Sequence, residues 1–182
     1  MAKSGVWNGL IGITLVLAIA WPVAAQVPQG VGEGWLGELD HASRQLLQLA
    51  EATPEDKFAW RPAPGVRSIA EVYMHLGIAN QFLLAQAGGK PSVDLTTLGK
   101  EPEKSTTDKA AVVKFLRESF EAVRSGYQSA DRQKKTQLFK KDVTVGDIFL
   151  RILVHNHEHM GQAIAYARMN GIAPPWSAGQ GQ

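Results

Sequence analysis

Four stretches of the sequence repeat apolar residues every three to four positions, and this helical periodicity constrains the fold more than any other feature. The stretches cover residues 33–52, 68–87, 107–130 and 144–170. Each is about 20 residues long, and helices of this kind bury their apolar faces by packing side by side. The pattern therefore predicts an all-α protein built as a four-helix bundle, with no strand of useful length.

Local signals mark the ends of two of these helices. Ser68, with Glu71 three residues later, predicts a capping box at the start of the second helix. Thr144 is placed to cap the fourth helix, with Asp147 in its first turn. Gly171 is placed to end that helix in a left-handed conformation.

Two connecting segments and the C-terminal tail add to this outline. Residues 53–67 contain three prolines and are long enough for a crossover, which leaves an up-up-down-down order of the helices open. Residues 88–106 are long for a loop in a compact domain, so we expect this segment to be functional or mobile. Trp176 follows two prolines and is expected to pack back on the bundle.

The N-terminus has the pattern of a targeting segment. Lys3 precedes an apolar run over residues 10–20, and residues 23–25 end in small side chains. This predicts a signal peptide over residues 1–25, cleaved after Ala25, and a periplasmic or secreted protein. The alternative is an uncleaved membrane anchor, since residues 8–25 carry no charge and are just long enough to span a bilayer.

The rest of the chain is enough for one domain, with residues 26–32 as a linker and residues 33–178 as the bundle. The net charge is +2 and the basic residues are scattered, which argues against a nucleic-acid partner. There is no cysteine, so any metal must be held by His, Asp or Glu.

Three histidines predict a metal site. His155 and His159 are four positions apart and project from one face of the fourth helix, which also carries core residues. His75 occupies a matching inward position on the second helix. Three imidazoles suit Zn²⁺ or a similar ion, with Ni²⁺, Mn²⁺ and Fe²⁺ as alternatives, and they leave a fourth position for water, as in catalytic zinc sites.

Other residues near these positions are weaker candidates. Gln162 is expected to bind a second-shell nitrogen or water, and His41 and Tyr73 are candidates for orienting a substrate. His157 is expected to face solvent. Glu158 completes an inverted zinc-peptidase motif with the flanking histidines, but no Asp or Glu follows to serve as the downstream ligand. Glu158 is therefore expected in the second shell or on the surface, and no catalytic residue is assigned.

Three motifs in order resemble the DinB-like (DinB/YfiT) superfamily of metal-binding four-helix bundles. Residues 54–72 look like the family's segment leading into the second helix, with His75 at the family's first histidine position. Residues 155–162 look like its His-x-x-x-His-x-Gly-Gln motif, and residues 166–175 look like the ending of its damage-inducible-like members.

The resemblance implies an up-up-down-down bundle, a divalent metal on the same three histidines, and frequent homodimers. It also suggests an activity, because some relatives are transferases or isomerases that use low-molecular-weight thiols. The sequence leaves two hypotheses: a metal-dependent transferase or hydrolase acting on a small molecule, or a non-catalytic module with a structural metal or a small-molecule pocket. A signal peptide departs from the cytoplasmic relatives and argues against a cytoplasmic thiol cosubstrate.

Overall fold

Four helices pack side by side in this computed structural model, which describes Met1 and residues 28–177. Their bounds are α1 Gly34–Ala52, α2 Ile69–Gln86, α3 Lys109–Ser129 and α4 Val145–Met169. The predicted four-helix bundle is confirmed, and each helix ends within two residues of its predicted bounds. The predicted signal peptide lies, apart from Met1, outside the described residues.

The local signals act as predicted. The Ser68 hydroxyl accepts from the Glu71 amide at 3.2 Å, and the Glu71 carboxylate accepts from the Ser68 amide at 2.9 Å. Thr144 and Asp147 form the same reciprocal pair at the start of α4. Gly171 has a φ of +73°, which is the left-handed conformation that favours glycine after a helix.

Contacts near the helix ends show the direction in which each helix runs. The Lys109 ammonium at the start of α3 donates to the Thr53 carbonyl at the end of α1, so α1 and α3 are antiparallel. Contacts between α2 and α3 advance along both helices together, and involve Gly77 with Phe115, Asn80 with Ser119, and Leu84 with Gly126. These two helices are therefore parallel.

The direction of α4 follows from aromatic contacts at its two ends. Phe82, near the end of α2, stacks on Phe139, just before α4, with ring centroids 6.2 Å apart. Trp60, before α2, meets Tyr166 near the end of α4 at 5.6 Å. The helices thus run up-down-down-up, which differs from the expected up-up-down-down order because the parallel neighbours are α2 and α3.

Parallel neighbours require a long return path, and residues 87–108 supply it. An 18-residue helix such as α2 is about 27 Å long, so the chain must travel that distance before α3 can start. The Gln81 side chain holds this crossover through the Ser92 amide at 2.9 Å and its hydroxyl at 2.6 Å. Near its end, a 3₁₀ turn over Pro102–Lys104 packs against α2.

A small β-hairpin between α3 and α4 was not expected from the sequence. Strands β1 Lys135–Leu138 and β2 Lys141–Thr144 pair antiparallel. The turn residues Phe139 and Lys140 both have positive φ, at 51° and 66°. Such a turn usually carries Asn-Gly, so this sequence gives no signal for it.

The core contains one polar chain that ties three helices together. The Asn80 side-chain Nδ2 donates to the Ser119 hydroxyl at 3.2 Å, and the Asn156 Nδ2 donates to the Asn80 side-chain Oδ1 at 3.1 Å. All three side chains are fully buried. Trp176 packs against the core as predicted. None of the helices in the described part of the chain is long and apolar enough to cross a bilayer.

Candidate metal centre

Three imidazole rings meet in the groove between α2 and α4. His75 lies on α2, and His155 and His159 lie one turn apart on α4. The Nε2 atoms of His75 and His155 are 3.1 Å apart. One ring nitrogen from each of the three histidines lies within 4.8 Å of the others, which is close enough for one ion to bind all three.

The folding of the two helices explains this convergence. Positions four residues apart on α4 share a face, so His155 and His159 point the same way. The antiparallel packing of α2 brings His75 to the same level of the bundle. Only partly buried side chains form the group, so the site sits at the edge of the core and is open to solvent on one side.

Hydrogen bonds orient two of the rings. The His75 Nδ1 lies 2.6 Å from a Glu103 carboxylate oxygen, and the His159 Nδ1 lies 2.8 Å from the Gln162 side-chain oxygen. Both partners are acceptors, so Nδ1 carries the proton and the lone pair of Nε2 is left for a ligand. Gln162 is itself held by its amide, which donates to the Tyr166 hydroxyl at 3.0 Å. Histidines that bind metals usually donate their other ring N–H to an acceptor of this kind.

The third ring, His155, is oriented differently. Its Nδ1 is buried and has no hydrogen-bond partner within residues 28–177. Its Nε2 points at the Nε2 of His75, so its position depends on packing and on whatever lies between the three rings. A divalent ion fits this donor set because it would satisfy three imidazole lone pairs that otherwise face one another.

Glu103 and Arg67 were missed by the sequence analysis. The Arg67 guanidinium clamps Glu103 through Nε at 2.6 Å and Nη2 at 3.0 Å, and its Nη2 also lies 3.2 Å from the His75 Nδ1. Glu103 comes from the crossover and is 28 positions from its histidine partner. The unusual length of the 88–106 segment indicated that it could be functional, but it did not indicate which of its residues would contact the histidines.

The electrostatics favour neutral imidazoles beside an ionised carboxylate. Burial, together with the charges of His159 and His75, lowers the pKa of His155 to about 4. Burial also lowers the pKa of His75, although Glu103 opposes this. Burial of Glu103 is outweighed by hydrogen bonds from Arg67 and His75, which hold the pKa of that carboxyl below its usual value. At neutral pH the His75 and His155 rings are therefore in the form that binds metals.

Two predicted substrate-orienting residues lie elsewhere. Tyr73 is buried in the core against Phe58, and burial raises its pKa. His41 lies on α1 and is not part of the histidine group, although its Nδ1 is buried without a partner in the described chain. Neither side chain is brought to the three rings.

The remaining candidates on α4 face outward. His157 is exposed, and its Nδ1 lies 2.9 Å from the Leu153 carbonyl of its own helix. Glu158 is exposed and forms a two-point ion pair with Arg151, at 2.6 and 3.1 Å. Glu158 is thus a surface residue, one of the two positions expected for it.

A pocket of about 570 Å³ adjoins the histidines. It is lined by Glu103 and Gln162, the two side chains that orient the rings, and otherwise by residues of the segment before α2, of the first turn of α2 and of the crossover. A larger depression of about 840 Å³ lies on the charged surface between the end of α1 and α3, where residues such as Glu51 and Arg117 form its walls. Of these two pockets in the described part of the chain, the smaller one is lined by groups that hold the imidazoles.

The comparisons with known proteins bear on the family and the fold. The model of the DinB superfamily matches residues 38–163. A DinB-like protein from Bacillus cereus has a similar structure, with a TM-score of 0.69 at 18% identity, covering 79% of this chain and 95% of that one. The DinB-like protein YjoA from Bacillus subtilis gives a TM-score of 0.58 at 17% identity, covering 75% and 92%. No curated protein matches the chain significantly.

Proposed function

The chain belongs to the DinB superfamily, and from that premise we propose that it is a metal-dependent enzyme acting on a small molecule, with a divalent ion held by His75, His155 and His159. The observation that carries the proposal is that one nitrogen from each of three imidazole rings lies within 4.8 Å of the others. In two of these rings, His75 and His159, the Nδ1 atom is also hydrogen-bonded to an acceptor. Zn²⁺ is the favoured ion, because three neutral imidazoles are among its commonest ligand sets.

The chain's own residues fit an open site better than a closed one. A structural zinc site has four protein ligands, whereas three protein ligands leave a position for an exchangeable group. The described residues supply three, all only partly buried, and a pocket of about 570 Å³ is lined by Glu103 and Gln162, which hold two of the rings. A bound divalent ion would supply Lewis-acid chemistry, polarising an oxygen or sulfur donor and lowering its pKa.

Each neighbouring side chain has a definite part in this proposal. Glu103 and Gln162 hold the Nδ1 protons of His75 and His159, and so fix the rings with Nε2 directed inward. Arg67 keeps Glu103 ionised and in place. The reaction class we propose is transfer to or from a thiol-type cosubstrate, or hydrolysis, as in the family resemblance drawn from the sequence.

Export and assembly are further proposals. The sequence of residues 1–25 supports a periplasmic or secreted location, and the family resemblance supports a homodimer. A membrane partner is proposed only for the case in which the N-terminal segment is not cleaved. No nucleic-acid partner is proposed, because the net charge is only +2 and the basic residues are scattered.

The test of the ligand set is metal content after dialysis, measured by elemental analysis. We expect close to one ion per chain in the unaltered protein and a loss of most metal affinity in His159→Ala, because one of three ligands is gone. His157→Ala is the matched control, since that ring lies on the same helix but faces solvent. Unchanged stoichiometry in His159→Ala would rule out the assignment.

Chelation separates an enzyme from a module with a structural ion. An open site predicts that metal removal abolishes turnover in a small-molecule screen while the melting temperature falls only modestly. A structural ion predicts the reverse, a large loss of stability on chelation and no turnover in either form. The second result would overturn the enzymatic proposal and leave the metal-binding module.

A further inference from the structure

The pocket beside the three histidines is lined by more cationic than anionic side chains. Arg61, Arg67 and Lys104 face two carboxylates, Glu71 and Glu103. Neither guanidinium is deeply buried, with 38% of each side chain exposed, so both can reach a bound molecule.

Both carboxylates are already engaged within the protein. One Glu71 oxygen accepts from Arg61 at 2.8 Å, and the other accepts from the Ser68 amide at 2.9 Å. Both Glu103 oxygens accept from Arg67, and one also meets the His75 ring. The acceptor groups of the pocket are therefore committed to the fold and to orienting a histidine.

The donors of the pocket are only partly used. Within residues 28–177, the Arg67 Nη1 and the Arg61 Nε have no hydrogen-bond partner, while their other nitrogens bind Glu103, Glu71 and the Val66 carbonyl. Lys104 is paired with Glu101 but remains 57% exposed and carries three donors. The side-chain groups of Arg61, Arg67 and Lys104 that remain available to a ligand in the pocket are therefore N–H donors.

We propose that this pocket is an oxyanion subsite, which binds the carboxylate, phosphate or sulfonate group of the small-molecule substrate. Planar guanidinium groups suit such groups because they offer paired N–H donors in a fixed geometry. The inference rests on the proposed function for the identity of the ligand as a substrate, but the subsite itself depends only on the pocket.

The position of Arg67 gives the subsite its relation to the metal centre. Its Nη2 lies 3.2 Å from the His75 Nδ1, on the side of that ring away from Nε2. The two binding points are thus separated by little more than one imidazole ring. A small molecule held by its oxyanion at the guanidinium would have to extend past the edge of the His75 ring to bring a donor group to the three Nε2 atoms.

Calorimetric titration of inorganic phosphate into the purified protein, both zinc-loaded and metal-free, tests the subsite. We expect binding in both forms, and a loss of about tenfold in affinity in Arg61→Gln, the effect of removing one charge-assisted hydrogen bond. Arg61→Lys should recover part of the loss because it keeps the charge. Arg117→Gln is the control, since that exposed arginine pairs with Glu51 on another surface.

A second variant keeps the test interpretable if Arg61→Gln destabilises the protein. Arg61→Gln leaves the buried Glu71 without its cationic partner, so the melting temperature is measured alongside. Lys104→Gln touches no buried group and should weaken phosphate binding by a smaller factor with the fold unchanged.

The outcomes separate the subsite from the metal centre. Absent phosphate binding, or affinity unchanged in both variants, overturns the subsite and leaves the metal proposal standing. Binding that requires zinc and ignores the variants means that phosphate sits on the ion, which also overturns the subsite. Phosphate binding that depends on Arg61 in a protein that takes up none of Zn²⁺, Ni²⁺, Mn²⁺ and Fe²⁺ supports the subsite and defeats the proposed function.

Discussion

Glu103→Gln removes one negative charge from the crossover and is expected to weaken zinc binding by a factor of about 10–100. Its carboxylate accepts from the His75 Nδ1 at 2.6 Å, which fixes the ring and raises the basicity of its ligating nitrogen. The affinity change corresponds to a loss of about 1.4–2.7 kcal/mol of binding free energy.

The geometry explains why the isosteric amide is a poor replacement. Glu103 now accepts from His75 and from two nitrogens of Arg67 at once. A glutamine has only one acceptor oxygen, and its amide group would place N–H donors against the N–H donors of Arg67 or His75. One of those contacts must be lost, so the ring or the crossover becomes less well held.

Competition with a chromogenic chelator at pH 7.5 measures the change in zinc affinity. Glu101→Gln is the matched control, because it removes the same charge from the same segment at an exposed ion pair with Lys104. We expect less than a twofold change there, as is usual for surface pairs. Zinc affinity in Glu103→Gln equal to that of the unaltered protein would refute the proposal that this carboxylate supports metal binding through His75.

Two further predictions concern stability. Gly77→Ala should lower the free energy of unfolding by about 1–3 kcal/mol in urea denaturation, because a Cβ there would lie 2.5 Å from the Phe115 ring. Gly161→Ala, on the open surface of α4, should instead raise it by about 0.5–1 kcal/mol, and equal effects would contradict the packing argument. In the metal-free protein, stability should fall as the pH drops from about 6.5 towards 4, because burial holds the pKa of His155 near 4 while the unfolded chain takes up the proton first. Denaturation of His155→Gln over the same pH range should show a smaller slope, and an unchanged slope would point to another group.

The features that the sequence predicted correctly are local ones. The capping boxes at Ser68 and Thr144 depend on residues three positions apart, and the alignment of His155 with His159 depends on a single helical turn. Such patterns hold whatever the rest of the chain does. Helix number and bounds follow from the same short-range periodicity.

The features that it missed depend on which helices are neighbours. The up-down-down-up order follows from the packing of α2 beside α3, and no short motif encodes that choice. Glu103 reaches His75 only because the crossover must then run back along the bundle. The hairpin was missed for another reason: its turn uses Phe139 and Lys140, where glycine or asparagine would usually mark positive φ.

The path of the crossover has a consequence for loading and access. Because Glu103 on this segment touches a ring of the metal centre, the docked segment and the bound ion share one coupling free energy. By thermodynamic reciprocity, the factor by which docking of the segment raises the affinity for the ion is also the factor by which the ion raises the equilibrium constant for docking. Binding of the proposed ion would therefore tighten the wall of the adjoining pocket, and its removal would loosen that wall. The docking of the crossover segment at the pocket would thus depend on whether an ion is bound at the three histidines.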